Sequence, residues 1–225
     1  MIITQTPLRI SLAGGGTDLE AFYRYEDGMV LNMAIDKYVY VIVKERFDDK
    51  IYINYSRKEI VDSVDEIQHE LVREAMRKTG VEKGVEITTL ADIPSEGSGL
   101  GSSSSITVGL LNALYMYQGE QVSPERLAKE ACEIEIDICG KPIGKQDQYI
   151  AAYGGIRLFT FRRDGMVEVE KIELPDDKFR KLGSNLLLFF TNRTRKAETI
   201  LRKQKENTPK KLDICLLYTS PSPRD

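Results

Sequence analysis

Residues 93–105 read Ile-Pro-Ser-Glu-Gly-Ser-Gly-Leu-Gly-Ser-Ser-Ser-Ser, and an apolar run from Ile106 to Tyr117 follows directly. Gly97, Gly99 and Gly101 alternate with other residues, and glycine lets a backbone take positive φ and approach a ligand closely. Serines at positions 102–105 suit a helix start, where free N–H groups and a partial positive charge attract phosphate. A flexible Gly/Ser linker is the plainer alternative, but these serines abut a helix former rather than a polar tract. Two common phosphate loops are excluded. A Walker A loop needs a lysine that does not follow Gly101, and the dinucleotide fingerprint needs glycine where Ser102 stands.

Three further stretches carry chemistry. Gly14-Gly15-Gly16-Thr17-Asp18 forms a tight turn that either approaches a small ligand or ends with Asp18 as a helix cap before Leu19–Tyr25. In the helix opened by Ser123-Pro124, Arg126, Lys129, Glu130, Glu133 and Asp137 share a solvated face. Leu127, Ala131, Ile134 and Ile138 make its core stripe, and Glu135 lies beside that stripe on a largely apolar side. A carboxylate placed there needs a partner, either a metal ion or a basic side chain from elsewhere. Asp147 follows the interruption at Pro142 and Gly144, either as a working carboxylate or as an acid complementing a helix dipole. A single histidine, His69, argues against a His-based triad or a His-rich zinc site, and it is expected to be solvated on a helix spanning Asp65–Thr79. Cys132, Cys139 and Cys215 lack metal-ligand spacing and form an odd set, as expected of reduced thiols in the cytoplasm.

The elements that must position these residues alternate between the two periodicities. Strands are expected at Ile2–Leu12 (broken at Pro7), Met29–Ile35 and Tyr38–Phe47, the last forming an antiparallel hairpin with Ile51–Tyr55 across Asp48-Asp49. A strand at Gly84–Ala91 leads into the Gly/Ser loop and a buried helix, Ser102–Tyr117. Beyond Asp147 come a short helix ending at Gly154-Gly155, a hairpin of Ile156–Phe161 with Met166–Leu174, an apolar strand at Leu186–Phe190 and a basic helix at Arg193–Lys205. The chain has 225 residues, 41% hydrophobic and 30% charged, with net charge −3. That balance suits a globular protein and suggests neither a nucleic-acid nor a membrane partner.

Pro94 followed by Gly99-Leu100-Gly101-Ser102-Ser103 resembles the ATP-phosphate loop of the GHMP kinases, the superfamily of galactokinase, homoserine kinase and mevalonate kinase. Pro7–Asp18 resembles that family's first motif, and Gly144-Lys145-Gln146-Asp147-Gln148, twelve residues after Glu135, resembles the galactokinase-type spacing of metal glutamate and catalytic aspartate. The resemblance implies an α+β GHMP kinase fold. Residues 1–155 would be the ribosomal-S5-like N-terminal domain and 156–210 the beginning of a ferredoxin-like domain. The third Gly-rich motif of the family is missing, residues 211–225 read as a non-native tail, and the chain reads as truncated within its second domain.

The residue roles implied by the resemblance are as follows. Pro94, Gly97, Ser98, Gly99, Leu100, Gly101, Ser102, Ser103 and Ser104 would hold ATP, with Ser103 and Glu135 on Mg²⁺. Asp147 would accept or orient the acceptor hydroxyl and Arg9 would neutralise the transferred phosphoryl group. Gly15, Gly16, Thr17 and Asp18 would face the acceptor, although galactokinases carry Glu-His where Gly15-Gly16 stand. Thr4–Ser11, Gly14–Leu19, Ile35–Val39 and Glu133–Asp137 look like the sugar-kinase branch. The implied reaction is phosphorylation of the anomeric hydroxyl of a small-molecule sugar phosphate, D-glycero-D-manno-heptose 7-phosphate first, toward a nucleotide-activated heptose. An L-fucose or other hexose 1-kinase, and a non-catalytic sugar and nucleotide sensor of the same fold, are the alternatives, and a homo-oligomer is left open.

Overall fold

The amino-terminal strand β1 (Ile2–Ala13) runs antiparallel to a strand of 18 residues, β2 (Gly28–Glu45), with a short helix α1 (Glu20–Tyr23) between them. A computed structural model describes residues 1–93, 98–189 and 197–209 of the chain. The two strands expected at Met29–Ile35 and Tyr38–Phe47 are therefore one continuous strand. Pro7 has no N–H to give to a ladder, and the β1 register slips between Pro7 and Arg9, so that Pro7 faces Tyr38 while Arg9 faces Ala34.

The next strands are β3 (Ile51–Asn54) and β4 (Lys58–Val61), followed by helix α2 (Glu70–Thr79) and strand β5 (Val85–Ala91). The expected hairpin of β2 with β3 does not form. β5 pairs with β2 from Val39 to Glu45 and separates it from β3, which pairs with β5 in parallel and with β4 antiparallel. The longer strand satisfies more of β2's hydrogen-bonding edge, and the four-residue β3 takes the outer place. The helix expected over Asp65–Thr79 is also broken. Val64–Glu66 is one 3₁₀ turn, and α2 begins only after His69, whose ring accepts a hydrogen bond from Val72 N. His69 is thus a half-buried helix cap set edge-on to Tyr55, and not a solvated helical residue.

Helix α3 (Ser102–Tyr117) covers the sheet, with Leu110, Leu111, Ala113 and Leu114 fully buried. Gly109 brings it close, because a Cβ there would sit 2.8 Å from Thr6 Oγ1 and 3.1 Å from Val41 Cγ2. Helix α4 (Pro124–Cys132) starts as expected with Ser123 accepting from Arg126 N. It continues as a π-helical segment, Glu133–Ile138. The wider turn rotates the following residues, so Ile138 is 51% exposed instead of completing the core stripe.

Helix α5 (Gln146–Tyr153) crosses to strand β6 (Ile156–Phe161), which pairs with the other end of β2 and with β7 (Val167–Lys171). The sheet order is β4-β3-β5-β2-β6-β7, with β1 on β2's opposite edge. Helix α6 (Asp176–Ser184), which the periodicity did not indicate, precedes Leu186–Phe189. Those four residues form no strand, and Leu187 and Phe189 are exposed. Helix α7 (Ala197–Asn207) corresponds to the expected basic helix. Phe190, residues 193–196 and the tail 211–225 lie outside the described residues, as do Pro94 and Gly97. No helix among the described residues is long and apolar enough to cross a membrane.

Candidate active site

The irregularity in β1 ties the Gly/Ser loop to the sheet. Arg9 N donates to Leu100 O at 3.1 Å, and Ser105 Oγ donates to Pro7 O at 2.9 Å. Arg9 thereby sits at the loop, and its side chain makes a forked pair with Asp147 on α5: Nε to Oδ1 at 2.6 Å and Nη2 to Oδ2 at 2.8 Å. Its remaining nitrogen, Nη1, donates to Gly99 O at 2.7 Å. The planar guanidinium uses its fork geometry to join the loop to the aspartate. Gly99 and Gly101 both have positive φ, at 73° and 79°, and a Cβ on Gly101 would lie 3.3 Å from the Asp147 carboxylate. Gly101 is the α3 N-cap and supplies no side-chain cap, so the first-turn N–H groups face the loop.

The serines do not play equal parts. Ser102 and Ser104 are buried, Ser98 and Ser102 share a hydrogen bond of 3.0 Å, and Ser103 remains half-buried. Ser103 Oγ donates to Glu135 Oε1, and Gln148 Nε2 donates to Glu135 Oε2 at 2.7 Å. Glu135 is fully buried, as its helical face suggested, while Glu133 pairs with Lys78 at 2.6 Å on the surface. Burial raises the Glu135 pKa from its ordinary value, opposed by Lys141 and by the hydroxyls of Ser103 and Ser104 and the Gln148 amide. Lys141 Nζ lies 3.6 Å from Glu135 Oε1, because Lys141 N closes back on Glu135 O at the end of the π-helical segment. Gln148 Oε1 is buried without a hydrogen-bond partner. Among the described residues no group of three or more acidic, His or Cys side chains forms a metal cage. Glu135 and Ser103 are oxygen donors of the kind a hard cation such as Mg²⁺ prefers.

The glycine turn packs against the start of α5. Asp18 is 2% exposed, accepting from Gly16 N at 3.0 Å, Gln146 N at 3.2 Å and Gln146 Nε2 at 3.1 Å. Burial raises its pKa, and the nearby Asp147 adds to the rise. A Cβ on Gly144 would overlap the Asp18 carboxylate, so that glycine admits the contact. The α1 N-cap is Leu19, so Asp18 is not the helix cap that was its alternative reading. Thr17 Oγ1 instead ties the turn together, donating to Gly14 O at 2.8 Å and Met29 O at 3.0 Å. Ser11 Oγ would meet a Cβ on Gly15 at 3.4 Å.

An open cavity of about 470 Å³ leads away from Ser103 between the β3–β4 turn and the start of α2. Tyr55, Arg57, His69, Leu90 and Ile106 line it. Tyr55 was not singled out from sequence and His69 was read only as a solvated helical residue, because β3 and α2 meet there only through the long-range topology. Lys141 was given no role from sequence, and neither were Gln146 and Gln148, although the two glutamines flank Asp147 directly.

Residues 54–155 match the model of the GHMP kinases N terminal domain. A D-glycero-alpha-D-manno-heptose 7-phosphate kinase from Campylobacter jejuni is 34% identical over 91% of this chain and 63% of its own length. A galactokinase from Pyrococcus furiosus is 29% identical over 84% of this chain and 53% of its own. Among solved structures, a D-glycero-D-manno-heptose 1-phosphate kinase from Bacteroides thetaiotaomicron superposes with a TM-score of 0.80 at 29% identity, over 97% of this chain and 74% of that one. The chain therefore spans under two thirds of the length of these curated relatives.

Proposed function

This chain carries a GHMP kinase N-terminal domain in the GHMP kinase fold, and we propose that it transfers the γ-phosphoryl group of ATP to the anomeric hydroxyl of a sugar phosphate. D-glycero-D-manno-heptose 7-phosphate is the acceptor favoured, since the C. jejuni relative is named for it. The observation that carries the reading is the Arg9 guanidinium, which reaches the phosphate loop through Gly99 O and the α5 carboxylate through Asp147. One cation thus spans the place where a terminal phosphoryl group on the loop meets an acceptor beside Asp147.

Phosphoryl transfer asks a protein mainly for positioning and charge neutralisation. Ser98–Ser104 and the free N–H groups of the first α3 turn cradle the phosphates, with Pro94 and Gly97 completing the loop. The cavity between Tyr55, His69 and Ser103 takes the nucleoside. Glu135 and Ser103 would hold Mg²⁺, which would supply neutralisation of phosphate charge there. Gly15, Gly16, Thr17 and Asp18 face the sugar, and Asp147 orients the attacking hydroxyl and accepts its proton. The hydroxyl oxygen bonds to the γ-phosphorus as the bond to the β–γ bridging oxygen breaks, and Arg9 balances the charge on the transferred group. We assign the product to nucleotide-activated heptose synthesis in the cytoplasm, and the division at residue 155 to a boundary between two domains.

The test is ADP release from ATP and Mg²⁺ with a panel of free sugars and sugar phosphates. Turnover highest with the heptose 7-phosphate supports the reading. Turnover only with L-fucose or another hexose would move the acceptor, and tight binding of ATP and sugar without ADP release would favour the sensor.

A further inference from the structure

A small cavity of about 120 Å³, with Asp18 in its wall, includes no described residue of the Gly/Ser loop in its lining. Leu19, Ile136 and Ile143 supply apolar wall, and Lys145 and Lys205 supply cations. Lys145 is the N-cap residue of α5, immediately before Gln146, which holds Asp18, and two residues before Asp147. Its half-buried ammonium donates to Gly165 O at 3.1 Å and sits 4.9 Å from the Tyr23 ring centroid. Both partners are neutral. Among the described residues no carboxylate pairs with Lys145 within 4.0 Å. A partly desolvated ammonium without a counter-ion is costly unless an anion joins it. Lys205 enters from α7, whose Gln204 packs on Gly16 of the acceptor turn. Three acids also line the cavity: Asp18 is held by Gly16 N and by Gln146, Glu20 is engaged by Arg24 at 2.5 Å, and Asp137 is exposed.

We propose that this cavity takes the phosphomonoester of the acceptor, with Lys145 as its principal ligand and Lys205 closing over it from α7. The proposal rests on the sugar-kinase reading and sets its specificity: Asp147 and Asp18 act on the hydroxyl end, and Lys145 selects phosphorylated over free sugars. A phosphate held by ammonium groups makes charge-assisted hydrogen bonds, which carry more weight than neutral ones.

The experiment is calorimetric titration of D-glycero-D-manno-heptose 7-phosphate, and of the same heptose without phosphate, into the wild type, Lys145→Met, Lys145→Arg and Lys205→Met. Lys145→Met should weaken the phosphorylated ligand by roughly tenfold or more and the free heptose by less than about twofold. Lys145→Arg should recover most of the difference, and Lys205→Met should show a smaller loss of the same kind. Inorganic phosphate should compete with the heptose phosphate in the wild type and lose that competition in Lys145→Met. Equal weakening of both ligands, or no weakening, would overturn the assignment, as would a wild type with no preference for the phosphate. Absence of ADP release with every acceptor would count against the kinase reading while leaving the binding ratio to decide this one.

Discussion

Glutamine at position 135 separates a carboxylate kept for a ligand from one kept for the fold. Glu135 has no exposed surface, and its burial raises its pKa. The folded chain thus holds a proton there more readily than the unfolded chain does. The site's contribution to stability is largest at low pH and is lost as pH rises through the folded-state value. The ionised form burdens the fold, and Lys141 at 3.6 Å offsets only part of that burden. Glutamine keeps the shape: its carbonyl accepts from Gln148 Nε2, and its amide donates to Ser103 Oγ once that hydroxyl turns to accept. Glu135→Gln should leave stability unchanged or raise it by about 1 kcal/mol, because it removes a desolvated charge while Lys141 keeps Glu70 at 3.3 Å as a partner. Glu133→Gln breaks a pair whose carboxylate is 46% exposed and should cost less than about 1 kcal/mol. Manganese binding, followed by electron paramagnetic resonance with nucleotide present, should weaken about tenfold or more for Glu135→Gln and stay within about twofold for Glu133→Gln. The reverse pattern, or a Glu135→Gln variant that melts far lower yet binds metal normally, would refute the reasoning.

Gly101→Ala should lower stability by about 1–2 kcal/mol, because its φ of 79° is left-handed, and should cut turnover further by pressing on Asp147 at 3.3 Å. Gly99→Ala, with φ 73° and open space around it, should show the stability loss without the Asp147 displacement; melting curves and steady-state kinetics on the pair check this. His69 has its pKa lowered by burial, and its ring nitrogen must stay unprotonated to cap α2. Since the unfolded chain protonates first, melting temperature should fall as pH drops below about 6.5, the unfolded His value. His69→Asn keeps a cap but does not titrate, so it should flatten that part of the profile when the two proteins are compared across the same buffers.

The span of α3, the positive-φ glycines at its start and the inward face of Glu135 were legible because each depends on neighbours along the chain. Glycine alternation, a serine-led apolar run and helical spacing are local signals, and α3 spans Ser102–Tyr117 as its pattern indicated. What escaped is non-local. Nothing between Asp48 and Tyr55 says that β5, some thirty residues on, will take the place beside β2. The π-helical segment at Glu133–Ile138 breaks the 3.6-residue period on which the position of Ile138 was judged, and it is the same irregularity that returns Lys141 to Glu135. His69 looked like one more residue of a charged helix, because a cap that uses an imidazole nitrogen lies outside the usual Ser, Thr, Asp and Asn signals. Leu186–Phe189 shows the limit of hydrophobicity alone, for an apolar run becomes a strand only where a partner edge accepts it.

The central claim, that Asp147 works with Arg9 on a phosphoryl group held by the loop, is tested most directly by single-turnover kinetics of Asp147→Asn with ATP and the heptose 7-phosphate. Asparagine keeps the size and one hydrogen bond to the guanidinium but removes the charge that Arg9 grips at 2.6 and 2.8 Å. Affinities for both ligands should stay within about threefold, while the transfer rate falls by roughly two orders of magnitude or more. A near-normal transfer rate would contradict the claim and reduce Asp147 to an acid at a helix start. Loss of binding in step with the rate would contradict it too, making Asp147 a residue that holds substrate or structure.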